Sequence, residues 1–193
     1  MLENFLDKFG LTGKFPETGD FYHNFLGDLG GWQFAQKIFS TFTLENTQEW
    51  TQLIKDAFPG FDVEFSLFAY DWKGSCYGVR HDDDTVLLFE LCDGNVYEIP
   101  VPMLEFLDDM LPKQAEDILR IPDYRAWLRK HHDGEPGPYQ CISHRVPLFL
   151  GGEDTVDNME LSDLNVVWSL YPQLWQAADG AEDGTVFGDF TIE

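Results

Sequence analysis

Cations are what this sequence has least of. Only 12 Lys and Arg stand against 35 Asp and Glu over 193 residues, a formal charge of -23. A surface of that sign repels a phosphate backbone instead of displacing its counterions, so direct nucleic-acid binding is set aside. Cysteine is scarce too. Cys76, Cys92 and Cys141 are odd in number and lack CxxC spacing, which argues against a disulfide framework or a metal knuckle and for buried, reduced thiols. No apolar run approaches a membrane span, and Glu3 and Asp7 stand where a secretory leader carries lysines. The expectation is a cytoplasmic chain that does not engage membranes. Internal repeats and long low-complexity tracts are also missing.

What is present is core-forming material. The hydrophobic share is 44% with 17 Phe, enough for a large aromatic core at a length that suits one domain. Helical spacing places Leu2, Phe5, Leu6 and Phe9 on one face before Gly10, and Phe21, Tyr22, Phe25, Leu26 and Leu29 on another before Gly30. Residues 32–43 suit a strand or a helical turn equally. Residues 45–58 read as a helix stopped by Pro59-Gly60. Strand period begins at Val63, and strands follow to residue 100 with turns at Asp82-Asp83-Asp84 and Asp93-Gly94. Pro102 opens a helix that Pro112 is expected to break, and Asp123 is placed to cap the next one. Residues 133–138 form a Gly- and Pro-rich loop.

Val146-Pro147-Leu148-Phe149-Leu150 reads as a buried strand ended by Gly151-Gly152 and the acidic loop of Glu153, Asp154 and Asp157. Ser162 is then placed to cap a helix carrying Trp168, which Pro172 is expected to kink or restart. Val186, Phe187, Phe190 and Ile192 suggest a docked terminal segment in an otherwise acidic tail. The class is α+β: an antiparallel meander flanked by helices in a single compact domain spanning 1–193, mainly helical over 1–60, with sheet plus helices over 61–193.

Catalytic and metal patterns are weak. The adjacent His131-His132 cannot aim both rings at one zinc ion from a helix, and the three aspartates at 82–84 lack the alternating ligands and distal Glu of a calcium loop. Gly151-Gly152 lacks a phosphate-loop lysine. Cys141 and His144 would fall on opposite faces of a regular strand. No catalytic residue, metal or cofactor is assigned.

The order of residues carries a likeness that composition does not. Cys-Ile-Ser-His-Arg-Val-Pro-Leu-Phe-Leu-Gly-Gly-Glu-Asp-Thr-Val-Asp-Asn-Met from position 141, followed by Ser162-Asp163-Leu164, Trp168 and Gln173-Leu174, resembles the signature of a bacterial family of type VI secretion immunity proteins. The family's best-known member protects a cell from its own DNase toxin. Phe68-Ala69-Tyr70-Asp71-Trp72-Lys73-Gly74 is similar to the family's aspartate, tryptophan and glycine at a strand end, and residues 5–58 look loosely like its GAD-like helical region. The family's glycine- and aromatic-rich hinge is replaced over residues 30–42.

These proteins resemble SUKH-type immunity modules in binding and occluding a toxin without enzymatic activity. The likeness implies a cognate effector partner, plausibly a nuclease with a basic surface that an anionic chain complements. Candidate partner-binding residues are Asp71, Trp72, Asp82, Asp83, Asp84, Glu153, Asp154 and Asp157, with Gly151, Gly152 and Asn158 as structural turn residues. Two alternatives belong to other classes. One is a ligand- or peptide-sensing regulatory module with an open concave face lined by Phe and Trp. The other is an acidic hydrolase with clustered carboxylates of raised pKa in one cleft.

Overall fold

The computed structural model describes residues 1–12, 15 and 19–178. Part of the loop before residue 19, and the terminal segment with Val186, Phe187, Phe190 and Ile192, lie outside the described residues. Six strands follow one another in chain order as an antiparallel meander: β1 (Gln33–Phe34), β2 (Phe39–Thr41), β3 (Phe65–Asp71), β4 (Cys76–Arg80), β5 (Thr85–Glu90) and β6 (Asn95–Pro102). The helices are α1 (Glu3–Lys8), α2 (Phe21–Leu29), α3 (Thr47–Ala57), α4 (Met103–Glu105), α5 (Leu111–Ile118), α6 (Ile121–Lys130) and α7 (Leu164–Ala178). A small second sheet pairs β7 (Gln140–His144) with β8 (Met159–Asp163). The α+β class expected from the sequence is the one observed, in a single compact domain.

Both faces of the meander's central strands are buried, while the edge strand β6 is largely exposed. Phe65 and Leu67 point to the side of α3 and α7, where Leu87, Phe89, Trp168 and Leu174 complete one core. A register shift between Leu67 and Ala69 puts Ala69 on the opposite side and returns Tyr70 to the Leu67 side. Phe68 and Trp72 also point to the opposite side. There they meet Phe5, Phe25, Phe106 and Trp127 from α1, α2, the segment after α4, and α6. Among the described residues, helices cover the central strands on both sides, so their Phe and Trp side chains face cores and not an open concavity.

Several local expectations are corrected. Val146 to Leu150 is not a buried strand: Val146 is 48% exposed, and Leu148–Leu150 forms a 3-10 turn that buries no side chain fully. The strand lies one step earlier, at β7, where Cys141 to His144 are all buried. Ser162 does not cap α7. It sits in β8 and shares a 2.7 Å hydroxyl hydrogen bond with Ser143. Asp123 lies inside the first turn of α6, which starts after Arg120 in a left-handed conformation. Pro112 does not end its helix at once, but the expected break follows two residues later, as a kink at Gln114 with φ -117° and ψ 18°. A π turn over Phe106–Met110 joins α4 to α5, and the widened turn makes room for a ring that would otherwise meet the carbonyl one turn earlier. Pro172 lies within an unbroken α7. The undecided residues 32–43 form a hairpin whose turn, Ala35-Gln36-Lys37, holds three successive positive φ angles of 45°, 59° and 67°.

The turn between β3 and β4 joins these layers. The Trp72 indole donates to the Leu119 carbonyl at 2.6 Å, at the end of α5. The Trp168 indole of α7 donates to the Gly74 carbonyl at 2.8 Å, and the Ile142 amide of β7 donates to the Trp72 carbonyl at 2.7 Å. Gly74 holds φ +88°, and a Cβ there would lie 2.9 Å from Leu91 Cδ2 and 3.0 Å from Cys141 Sγ. Gly74→Ala is expected to lower stability by about 2–4 kcal/mol through left-handed strain plus overpacking. Urea denaturation at neutral pH measures it, and an unchanged midpoint would show that the turn tolerates a side chain.

Candidate functional site

Asp71 closes β3 and folds the turn over itself. Its Oδ1 accepts the amides of Lys73 and Ser75 at 2.9 and 3.1 Å, and its Oδ2 accepts the Tyr77 hydroxyl at 3.2 Å. Lys73 reaches from the same turn to Glu90 at the end of β5, 3.2 Å away, with the two side chains only 11% and 14% exposed. Ser75 donates to the same Glu90 carboxylate at 2.8 Å. Burial pushes the Asp71 carboxyl up to about 6, against the opposing pull of Lys73. For Lys73, burial disfavours the charge, but Asp71 and Glu90 outweigh it and raise its pKa.

Cys92 and the second sheet extend this group outward. Cys92 Sγ lies 3.9 Å from His144 Nδ1, and His144 Nε2 lies 3.4 Å from Asp154 Oδ1. Asp154 in turn pairs with Arg120 at 2.8 Å, and Arg120 with Asp123 at 2.6 Å. In front lies an open cleft of about 520 Å³ lined by Lys73, Glu90, Cys92, Asp93, Tyr97, Arg120, Leu148 and Phe149. Thiol, imidazole and carboxylate occur here in the order of a nucleophilic triad, but the electrostatics oppose that chemistry. Burial and then the Glu90 charge push Cys92 up to about 12, while burial lowers His144 despite Asp154. Beside a carboxylate and a reluctant base, the thiol is held toward its protonated form, a setting that disfavours a nucleophilic role. Cys141, weighed above as the partner of His144, instead packs beneath Gly74 in the core.

The structure sorts the residues singled out from sequence into three places. Asp71 and Trp72 are 2% and 1% exposed, so their assignment as partner contacts is corrected: both are spent on the interior of the fold. Asp82, Asp83 and Asp84 form the exposed turn between β4 and β5, at the opposite end of the strands from the Trp72 turn. There Asp83 pairs with Arg80 at 2.7 Å, and that hydrogen-bonded guanidinium holds its carboxyl well below the usual range. Glu153, Asp154 and Asp157 lie on the loop before β8, where Asp157 contacts Lys130. Gly151 takes φ +84°, and a Cβ on Gly152 would meet the Val146 carbonyl at 1.9 Å. Asn158 clamps the loop by bonding the Val146 amide at 3.0 Å, the Val146 carbonyl at 2.8 Å and the Glu153 carbonyl at 2.9 Å. The two acidic loops therefore do not form one patch.

Sequence reading missed Lys73, Glu90, Cys92, Arg120 and His144 as a group. One signal was available: a lysine directly after Asp-Trp, in a chain so poor in cations, is a candidate for a buried pair. Among the described residues, no group of three or more His, Cys, Asp or Glu is arranged to hold a metal ion.

The raised Asp71 carboxyl makes a prediction about pH. The folded state holds this proton more tightly than the unfolded chain, so Asp71 favours folding at acid pH, and that contribution is lost as pH rises through about 6. Asp71→Asn keeps an acceptor for the two amides and removes the charge. Its stability relative to the parent is expected to rise between about pH 4 and 7, by an amount on the order of 3 kcal/mol. Asp71→Ala orphans the amides and costs about 2–4 kcal/mol across the range. Urea unfolding of the three proteins in parallel measures both effects, and a pH-independent difference for Asp71→Asn would contradict the buried-charge account.

No family model matches the chain, and no curated protein does. Among solved structures it is similar to the crystal structure of Atu4351 from Agrobacterium tumefaciens, with a TM-score of 0.62 and 17% identity over 90% of this chain and 89% of that one. At that identity the likeness is one of fold.

Proposed function

We propose that this chain is a non-enzymatic immunity protein that acts in the cytosol, binding and occluding a cognate secreted toxin with a basic surface, of the nuclease class. The observation that carries the reading is how the few cations are used. Lys37, Lys55, Lys73, Arg80, Lys113, Arg120, Arg125, Lys130 and Arg145 each sit within ion-pair distance of a carboxylate. Neutralised locally, they leave a large carboxylate excess to act at longer range. Such a field steers in a basic protein and mimics the charge of the nucleic acid its groove would hold. The sequence likeness at residues 68–74 and 139–174 supplies the immunity class.

Two further observations favour contact over turnover. Burial holds the Cys92 thiol and the His144 imidazole toward their uncharged forms, and the carboxylate beside them, Asp154, is spent on Arg120. The raised carboxyl at Asp71 faces the interior and not a substrate cleft. No helix among the described residues is long and apolar enough to cross a membrane. The large clefts, of about 700 and 620 Å³, are open and lined by charged as well as apolar groups, which disfavours the sensing alternative.

Co-expression with the effector encoded beside it should restore growth of a cell making that effector. The association rate of the purified pair should fall about tenfold as ionic strength rises from roughly 0.05 to 0.5 M, with a smaller change in dissociation. A toxin that kills equally with and without the chain, or association rates unmoved by salt, would overturn the proposal.

A further inference from the structure

We infer that the groove between α3 and α7 is the docking site for a basic amphipathic helix of the partner. This inference rests on the reading of the chain as a toxin-binding protein and names the part of its surface that the partner uses. The groove is an open concavity of about 700 Å³. Its floor carries the half-buried Trp50 and Leu53 of α3, and Asn165 and Ser169 of α7 form the far wall. Glu45, Glu49 and Asp56 line it from the side of α3.

Three features meet at this place. First, its charge is uncompensated: among the described residues Glu45, Glu49 and Asp56 have no Lys or Arg within ion-pair distance, whereas each acidic loop has part of its charge paired, Asp83 on one and Asp154 and Asp157 on the other. The neighbouring Lys55 is committed to Glu64 at 2.7 Å, and Asp56 accepts only the Gln52 amide at 2.7 Å. Second, the apolar floor is rigid. Trp50 stacks on Tyr139 with ring centroids 5.6 Å apart and planes 14° from parallel, and it packs at 5.4 Å against Phe42. A fixed aromatic in an interface core loses little side-chain freedom on binding. Third, α3 turns Thr47, Thr51, Ile54 and Ala57 inward, so its outer face performs no packing that explains the acids.

A groove between two helices is shaped to receive a third whose ridges lie between theirs. An apolar stripe on that helix would cover Trp50 and Leu53, while flanking Lys or Arg residues would meet the carboxylates. The proposal assigns recognition to α3, which none of the acidic loops would have indicated.

The test uses two synthetic amphipathic peptides with the same leucine pattern, one with lysine and one with glutamate on the polar face, titrated into the full chain. The lysine peptide is expected to bind at low salt and to shift the NMR signals of the Trp50 indole, Asn165 and Ser169; the glutamate peptide is expected not to bind. The double variant Glu45→Lys/Glu49→Lys should weaken binding of the lysine peptide about tenfold or more. A control with the same change of net charge, Asp82→Lys/Asp117→Lys, should alter it by no more than about threefold. Equal losses in both variants, or shifts that map away from the groove, would overturn the inference. In cells the two claims separate. If the parent chain neutralises the toxin and the groove variant does so equally well, the groove assignment fails and the immunity reading stands. If the parent gives no protection while the peptide still binds the groove, the immunity reading fails and the groove assignment stands.

Discussion

The turn Trp72-Lys73-Gly74-Ser75 holds this fold together because hydrogen bonds join it to the β1–β2 hairpin, the end of α5, the second sheet and α7. Hairpin β1–β2 reaches it through the Trp72 amide, which donates to Ile38 at 3.0 Å. The end of α5, the second sheet and α7 reach it through the two indoles and the Ile142 amide. Each acceptor is a peptide carbonyl buried beyond the reach of water, so losing a donor costs the desolvation of the group left behind as well as the bond. Asp71 holds the turn in shape, and Gly74 allows two side chains to approach closer than any Cβ would permit. Backbone geometry alone thus explains an Asp-Trp-Lys-Gly run in this chain.

The same turn carries a charge problem. If Asp71, Lys73 and Glu90 were all ionised, the interior would hold one net negative charge, which a low-dielectric site resists. Donors supply part of the compensation: two amides and a phenol on Asp71, with a hydroxyl and the ammonium on Glu90. The remainder emerges as the upward displacement of the Asp71 carboxyl. That field also sets the state of the neighbouring cysteine, whose ionisation it disfavours. A nucleophilic thiol needs a cationic setting, and Cys92 sits beside Glu90 with the only nearby lysine already bound to that carboxylate.

Sequence periodicity was legible wherever one residue type met one kind of neighbour. The β4–β5–β6 meander, with Asp93-Gly94 at its hairpin, and α2 and α3 follow from alternation, helical spacing and turn chemistry, because their buried faces are regular. It failed where tertiary contacts decide. Val146 to Leu150 is apolar enough for a strand, yet the Asn158 clamp and the closeness of Gly152 to Val146 impose a tight loop that no local pattern announces. Pro112 announces a break, but a π turn before it carries the helix past the proline and the interruption falls at Gln114. The bulge at Leu67 and Ala69 reverses which alternate residues face which core, so the strand could not be assigned a single inner face. The site was harder still: Lys73, Cys92, Arg120 and His144 come from four separate segments and are brought together only by the packing of the second sheet on the first.

A division follows between what makes the fold and what faces outward. The motif residues most similar to an immunity family are largely occupied inside: Asp71, Trp72, Gly74 and Trp168 bond to buried groups, and Gly152 and Asn158 shape a loop. Residues so occupied cannot vary with the partner. The outward acids of α3 touch nothing that the core requires, so they can change sign or spacing without cost to folding beyond a few tenths of a kcal/mol each. The proposed immunity role would need this separation, in which a constant buried turn sets the geometry and an unconstrained helix face sets the match. On the proposed reading the acidic excess has a place to act: it would gather a basic partner from a distance, and the groove with its fixed tryptophan would decide whether that partner stays.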